Sequence, residues 1–170
     1  VALPHQHGCA QVGVDHEQTV RTLIGLGNNP NVAGVLVVAL GCEGVQPEIV
    51  VEGIKPSGKP VEMVNIQKIG GTLKTIAEGA RILRTMVQQV SKEKRVEVDV
   101  SKLVLGIECG GSDATSGIVG NPAVGHTSDI LLNYGGSSIL SETTELIGAE
   151  HLLAKRAVSE EVGQKLLAIV

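Results

Sequence analysis

The sequence predicts an α/β fold: a single three-layer αβα domain over residues 1–170, built around a mostly parallel, Rossmann-like sheet. Three observations lead there. Apolar runs of strand length alternate with segments of helical period, which is the pattern of βα units joined by right-handed crossovers. At 170 residues the chain is long enough for one domain with a full apolar core. Hydrophobic residues make up 42% of the chain but aromatic residues only 1%, so that core must be built from Val, Ile, Leu and Ala.

Taken in order, residues 1–3 read as the stump of a first strand, and residues 17–26 place Val20, Leu23 and Ile24 on one helical face. Residues 32–40 (VAGVLVVAL) form a nearly continuous β-branched run, expected for a strand buried on both faces. Residues 47–53 suit a short helix with proline in its first turn. Residues 61–66 read as a strand. The spacing of Leu73, Ile76, Ala77, Ala80, Leu83, Val87 and Val90 predicts a long amphipathic helix. Strands are expected at 103–107 and 138–140, with a helix at 129–134 ended by Gly135-Gly136. A helix is expected from Thr144 through Lys155. Ser159, followed by Glu160 and Glu161 at the positive helix end, opens the last one.

Fourteen Lys and Arg against 18 Asp and Glu give a net charge of −4, and Tyr134 is the sole aromatic residue. Without a basic stripe or a base-stacking platform, nucleic acid is not an expected partner. No apolar run reaches the ~18–20 residues that span a bilayer, so no membrane association is expected and the chain is placed in the cytoplasm. An apolar start without Met and an apolar end at 166–170 lead to the expectation of a fragment. The same apolar end raises the prospect of a homo-oligomer.

Ligands of open parallel sheets bind beyond the carboxyl ends of the strands. There the sequence places His5, His7, Cys9, Asp15 and His16, then Cys42 and Glu43, then Glu108, Cys109, Gly110, Gly111, Ser112 and Asp113. The three cysteines lie 33 and 67 residues apart, matching neither CxxC nor a disulfide framework. Buried free thiols are the plain reading, and placement at one sheet edge sets beside it, on equal footing, ligands for iron, zinc or an iron–sulfur cluster. His5, His7 and a carboxylate holding a single divalent ion is a second arrangement. The glycine-dense turn at 110–113, continued by Gly117 and Gly120, can present N–H groups to a carboxylate or phosphate. It fits neither GxGxxG nor a P-loop, which disfavours a nucleotide cofactor.

These residues carry a resemblance. His5-x-x-Gly8-Cys9-x-Gln11, Asp15-His16, VLVVALGCE at 35–43, GIECGGSD at 106–113, Ser116-Gly117, Asn121-Pro122-Ala123 and Gly148-Ala149-Glu150 resemble the central region of the altronate/galactarate dehydratase family, whose relatives include sulfolactate sulfo-lyases. The departures are Ala114 and His7. The family also carries a small N-terminal β domain and a C-terminal region, both expected to be missing here. The resemblance implies dehydration of a six-carbon sugar acid to a 2-keto-3-deoxy product, dependent on iron (Fe2+ or an iron–sulfur cluster) or Mn2+. It implies Cys9, Cys42 and Cys109 as metal or cluster ligands, and Gly110, Gly111, Ser112 and Asp113 as the substrate cradle. His5 or His16 is the expected base, because imidazole titrates near working pH. Glu43 and Glu108 are expected to orient ligands. The expected partners are the remaining domains of the full-length enzyme or a separate small subunit. Two other readings stay open: a sulfo-lyase expelling sulfite from sulfolactate, and a non-catalytic anion-binding scaffold.

Overall fold

A computed structural model describes residues 1–5 and 9–170. The chain divides into two compact units, Val1–Arg95 and Val96–Val170. The mixed α/β class is as expected, but the strands pair as two separate two-stranded parallel sheets, one in each unit.

In the first unit, α1 (Gly13–Asn28) precedes β1 (Val35–Ala39), α2 (Pro47–Ile54), β2 (Val61–Asn65), the single turn α3 (Ile66–Ile69) and α4 (Thr72–Val90). β1 and β2 pair in parallel from Val35↔Val61 to Ala39↔Asn65. Parallel pairing requires a crossover, and α2 supplies it, starting on Pro47 where the missing N–H costs no hydrogen bond. The core lies between α1, α2 and the strand pair: Val45, Val50 and Ile54, with Val20, Leu23, Ile24, Val35, Val37 and Val61 against them. Close approach of α1 to α2 depends on two glycines. A Cβ on Gly27 would fall inside the Ile54 side chain, and one on Gly53 would lie 2.5 Å from Ile24 Cδ1.

Two expectations are corrected here. Residues 1–3 form no strand, since Val1 and Leu3 are exposed and make no ladder among the described residues. β1 is five residues rather than nine and is not buried on both faces, Val38 being 58% exposed. After α1 the chain turns at Pro30-Asn31 and joins the ladder with β2 only at Val35.

In the second unit, β3 (Val104–Ile107), α5 (Asn121–Asn133), β4 (Ser137–Leu140), α6 (Glu150–Ala154) and α7 (Glu160–Ile169) follow one another. β3 and β4 pair in parallel from Val104↔Ser137 to Ile107↔Leu140. The expected helix at 129–134 is the end of α5, which starts eight residues earlier on Asn121-Pro122 after a wide π-type turn at Ser116–Gly120. The expected helix from Thr144 to Lys155 is broken into a 3-10 turn (Thr143–Leu146) and α6, because Gly148 adopts φ +89 between them. α7 starts as expected, with the Ser159 side chain accepting from the Val162 N–H. No helix among the described residues is long and apolar enough to cross a membrane.

Candidate functional site

Each strand pair carries unusual residues at its carboxyl ends, as the strand-end rule anticipates, but on two separate sheets rather than at the one shared edge expected for the three cysteines. In the first unit, β1 runs out through Leu40 into Gly41-Cys42-Glu43-Gly44. Gly41 takes φ +120, and a Cβ there would lie 2.7 Å from Gln67 Oε1 and 3.0 Å from Asn65 Oδ1, so the turn needs glycine on both counts. The Gln67 N–H donates to Leu40 O at 3.1 Å, joining the end of β1 to α3. Buried Asn65 caps α3 by accepting from the Lys68 N–H.

Three expected site residues gather at this turn. Cys9 Sγ donates to Cys42 O at 3.2 Å. His16 Nε2 lies 3.1 Å from Gly44 O; a carbonyl only accepts, so Nε2 carries the proton and Nδ1 is the basic nitrogen of the neutral ring. Cys42 Sγ lies 3.6 Å from Gln67 Nε2. Cys9 and Cys42 are both exposed, which sets aside the reading of buried thiols for them. His5 lies in the irregular segment 1–5, while His7 lies outside the described residues.

Glu43 is fixed beside them. Its Oε2 accepts from the Gly41 N–H at 2.5 Å, and its Oε1 is buried without a hydrogen-bond partner. Partial burial pushes its pKa up, but the N–H groups of Gly41, Glu43, Cys42 and Leu40 together outweigh that and hold it below the usual carboxylate range. A cleft of about 190 Å³ opens here, lined by Gly41, Glu43, Gln46, Glu48, Asn65 and Lys68 among others.

In the second unit, β3 runs out through Glu108 into Cys109-Gly110-Gly111-Ser112-Asp113. Ser141 ties the two strand ends together, its N–H and hydroxyl both donating to Ile107 O at 3.0 and 2.8 Å. This brings Glu142 to Cys109, whose N–H donates to Glu142 Oε2 at 3.2 Å. Cys109 Sγ and a carboxylate oxygen each from Glu142 and Glu145 lie within 4.8 Å of one another. Among the described residues this is the one group of three His, Cys, Asp or Glu ligand atoms so close together. Sequence reasoning missed both glutamates, although applying the strand-end rule to β4 would have pointed to them.

The substrate-cradle candidates divide in two. Gly110 and Gly111 have no positive φ, and a Cβ at either would meet nothing within 4 Å. Neither backbone shape nor crowding among the described residues requires glycine there. Asp113, in contrast, is engaged with its own chain: its Oδ1 accepts from the Thr115 hydroxyl and from the Thr115 and Ser116 N–H groups at 2.7 and 2.9 Å. The Thr115 hydroxyl first, then those amides, hold its pKa below the usual range. Ser112 Oγ lies 4.0 Å from Cys109 Sγ.

One thiolate and two carboxylates suit a single Fe2+, Mn2+ or Zn2+ ion.

Residues 1–91 match the family model described as D-galactarate dehydratase/altronate hydrolase, second domain, and residues 100–170 match that of D-galactarate/altronate dehydratase, C-terminal. The gap between the two matches contains the boundary between the two structural units. Among curated relatives, the altronate dehydratase of Bacillus subtilis is 37% identical over all of this chain and 34% of its own length. The beta subunit of the (2R)-sulfolactate sulfo-lyase of Chromohalobacter salexigens is 43% identical over 99% of this chain and 43% of its own. The galactarate dehydratase (L-threo-forming) of Escherichia coli is 41% identical over 87% and 30%. The chain thus spans between about a third and less than half of the length of these relatives. It belongs to the D-galactarate dehydratase/altronate hydrolase family.

Proposed function

We propose that this chain carries part of the active site of a hydro-lyase, a carbon–oxygen lyase that dehydrates a sugar acid such as altronate or galactarate to a 2-keto-3-deoxy acid. The observation that carries the reading is the juxtaposition at the ends of β3 and β4. There, Cys109, Glu142 and Glu145 form a donor set beside a glycine turn whose glycines the fold does not require. The chemistry asks for such a pairing. A proton next to a carboxylate is very weakly acidic, so the enediolate formed on its removal needs concentrated positive charge and hydrogen-bond donors around its oxygens.

Cys109, Glu142 and Glu145 would hold iron as Fe2+, with Mn2+ as the alternative, and Cys9 and Cys42 are the candidate sulfur donors of the first unit. When bound, the metal supplies Lewis-acid stabilisation of the substrate's carboxylate and hydroxyl oxygens. Gly110, Gly111 and Ser112 receive the carboxylate and hydroxyls, while Asp113 shapes the turn that presents them. His16 takes the proton at Nδ1, its Nε2–H being committed to Gly44 O; His5 is the second candidate. Glu43 keeps its negative charge next to Cys42 and orients that turn. Cys9 becomes a ligand only by releasing its hydrogen bond to Cys42 O.

The chain works in the cytoplasm together with the rest of a longer enzyme or a separate small subunit. One relative being named a beta subunit supports the separate-subunit arrangement. The same relative, 43% identical, also favours a second reading in which the leaving group is sulfite and the substrate sulfolactate.

The test is turnover of altronate, galactarate and sulfolactate by the full-length protein loaded with Fe2+. Formation of a 2-keto-3-deoxy acid supports the dehydratase, sulfite release from sulfolactate replaces it with the sulfo-lyase, and inertness toward all three contradicts both.

A further inference from the structure

We infer that Gln67 is the positioning residue of Cys42, holding its sulfur at the β1–β2 edge through an amide N–H···S hydrogen bond. The inference deepens the proposed function and rests on its reading of Cys42 as a ligand facing the site. Four observations support it. Gln67 Nε2 lies 3.6 Å from Cys42 Sγ, and an amide nitrogen can only donate, so the sulfur is the acceptor. The Gln67 main-chain N–H is tied to Leu40 O at 3.1 Å, two residues before Cys42, which fixes the side chain's starting point relative to its target. Asn65 caps the turn that carries Gln67. The Gln67 amide oxygen packs against Gly41 so closely that a Cβ at 41 would lie 2.7 Å away, leaving the amide nitrogen turned to the sulfur.

The two cysteines at this edge therefore differ. Cys9 Sγ is a hydrogen-bond donor, to Cys42 O, whereas Cys42 Sγ accepts. A thiolate binds a metal through a lone pair, and a donor on another lone pair restricts the directions left for the ligand. Groups that orient ligands in this way typically matter about 10–100-fold in metal affinity. Gln67 is exposed, so replacing it leaves the apolar core intact.

The experiment uses the full-length protein with Co2+ as the probe, following the thiolate-to-cobalt charge-transfer absorption during titration. Cys42→Ser identifies the part of the band that belongs to Cys42. Gln67→Leu removes the amide, and Gln67→Glu keeps its shape while removing the donor. The expected result is a shifted band and Co2+ affinity lowered about tenfold in both Gln67 variants. Wild-type band and affinity in both would overturn the inference.

If Cys42→Ser leaves the band unchanged, the ligand reading of Cys42 fails, and the Gln67 contact is decided by a second measurement. The rate of Cys42 alkylation by iodoacetamide, site-resolved by mass spectrometry, is read at pH about 10, where an ordinary thiol is ionised. A rise of at least threefold in Gln67→Leu establishes the contact on its own. An unchanged rate removes it as well.

Discussion

Ile54 is 1% exposed and sits where α1, α2 and the β1–β2 pair converge. Ile54→Ala is expected to cost about 2–5 kcal/mol, measured by denaturant unfolding, because it removes the buried atoms packed against Gly27 and the core around Val45 and Val50. Glu43 gives a pH prediction. Its pKa is held below its ordinary value in the fold, so its ionised form favours the folded state above the ordinary carboxylate range. That contribution disappears as pH falls through the depressed value. Wild type should therefore be more stable than Glu43→Gln at pH 7 and lose that advantage in acid; equal stability at every pH would remove the role given to the Gly41 turn.

At this scale the sequence exposed residues that follow a strand directly, as with Cys42 and Cys109; Cys9 and His16 were placed by a first strand that does not form, and reach the β1 turn through Cys42 O and Gly44 O instead. The sequence concealed those brought in by pairing. Glu142 is 33 residues from Cys109 and reaches it only because Ser141 ties β4 to Ile107. Gln67 reaches Cys42 through the β1–β2 register in the same way.

Elements were legible where periodicity and punctuation agreed. The apolar positions of α4 and the Ser159 cap with its two acids placed those helices within a residue or two of where they lie. Ser159→Ala is expected to cost about 1 kcal/mol, since the Val162 N–H loses its acceptor. The misreadings have physical causes. In residues 32–40 composition resembled a strand throughout, but only Val35–Ala39 finds partners on β2. In residues 144–155 helical residues surround Gly148, whose left-handed backbone no periodicity score registers. Helix contact also depends on absent side chains. Gly53→Val is expected to lower stability by about 1–3 kcal/mol by driving a branched side chain into Ile24, measurable as a lower Tm.

For the whole molecule, the sequence carried the α/β class and the family, but not the division at Arg95/Val96. The charged run Lys92-Glu93-Lys94-Arg95 read as a solvated helix end, and it is the segment between the units, exposed from Ser91 to Val100. Limited trypsin digestion is expected to cut first at Lys92, Lys94 or Arg95, giving two protease-resistant fragments seen by mass spectrometry.

The proposed function stands on Cys109, Glu142 and Glu145 as the ligands of a metal next to the glycine turn. Metal and acid-labile sulfide content of the full-length protein, purified without oxygen, tests it most directly when compared between wild type and a Glu142→Gln, Glu145→Gln double variant. The expected result is a bound divalent metal without sulfide in wild type and its loss in the double variant. Sulfide stoichiometric with iron, or full metal content in the variant, would contradict it.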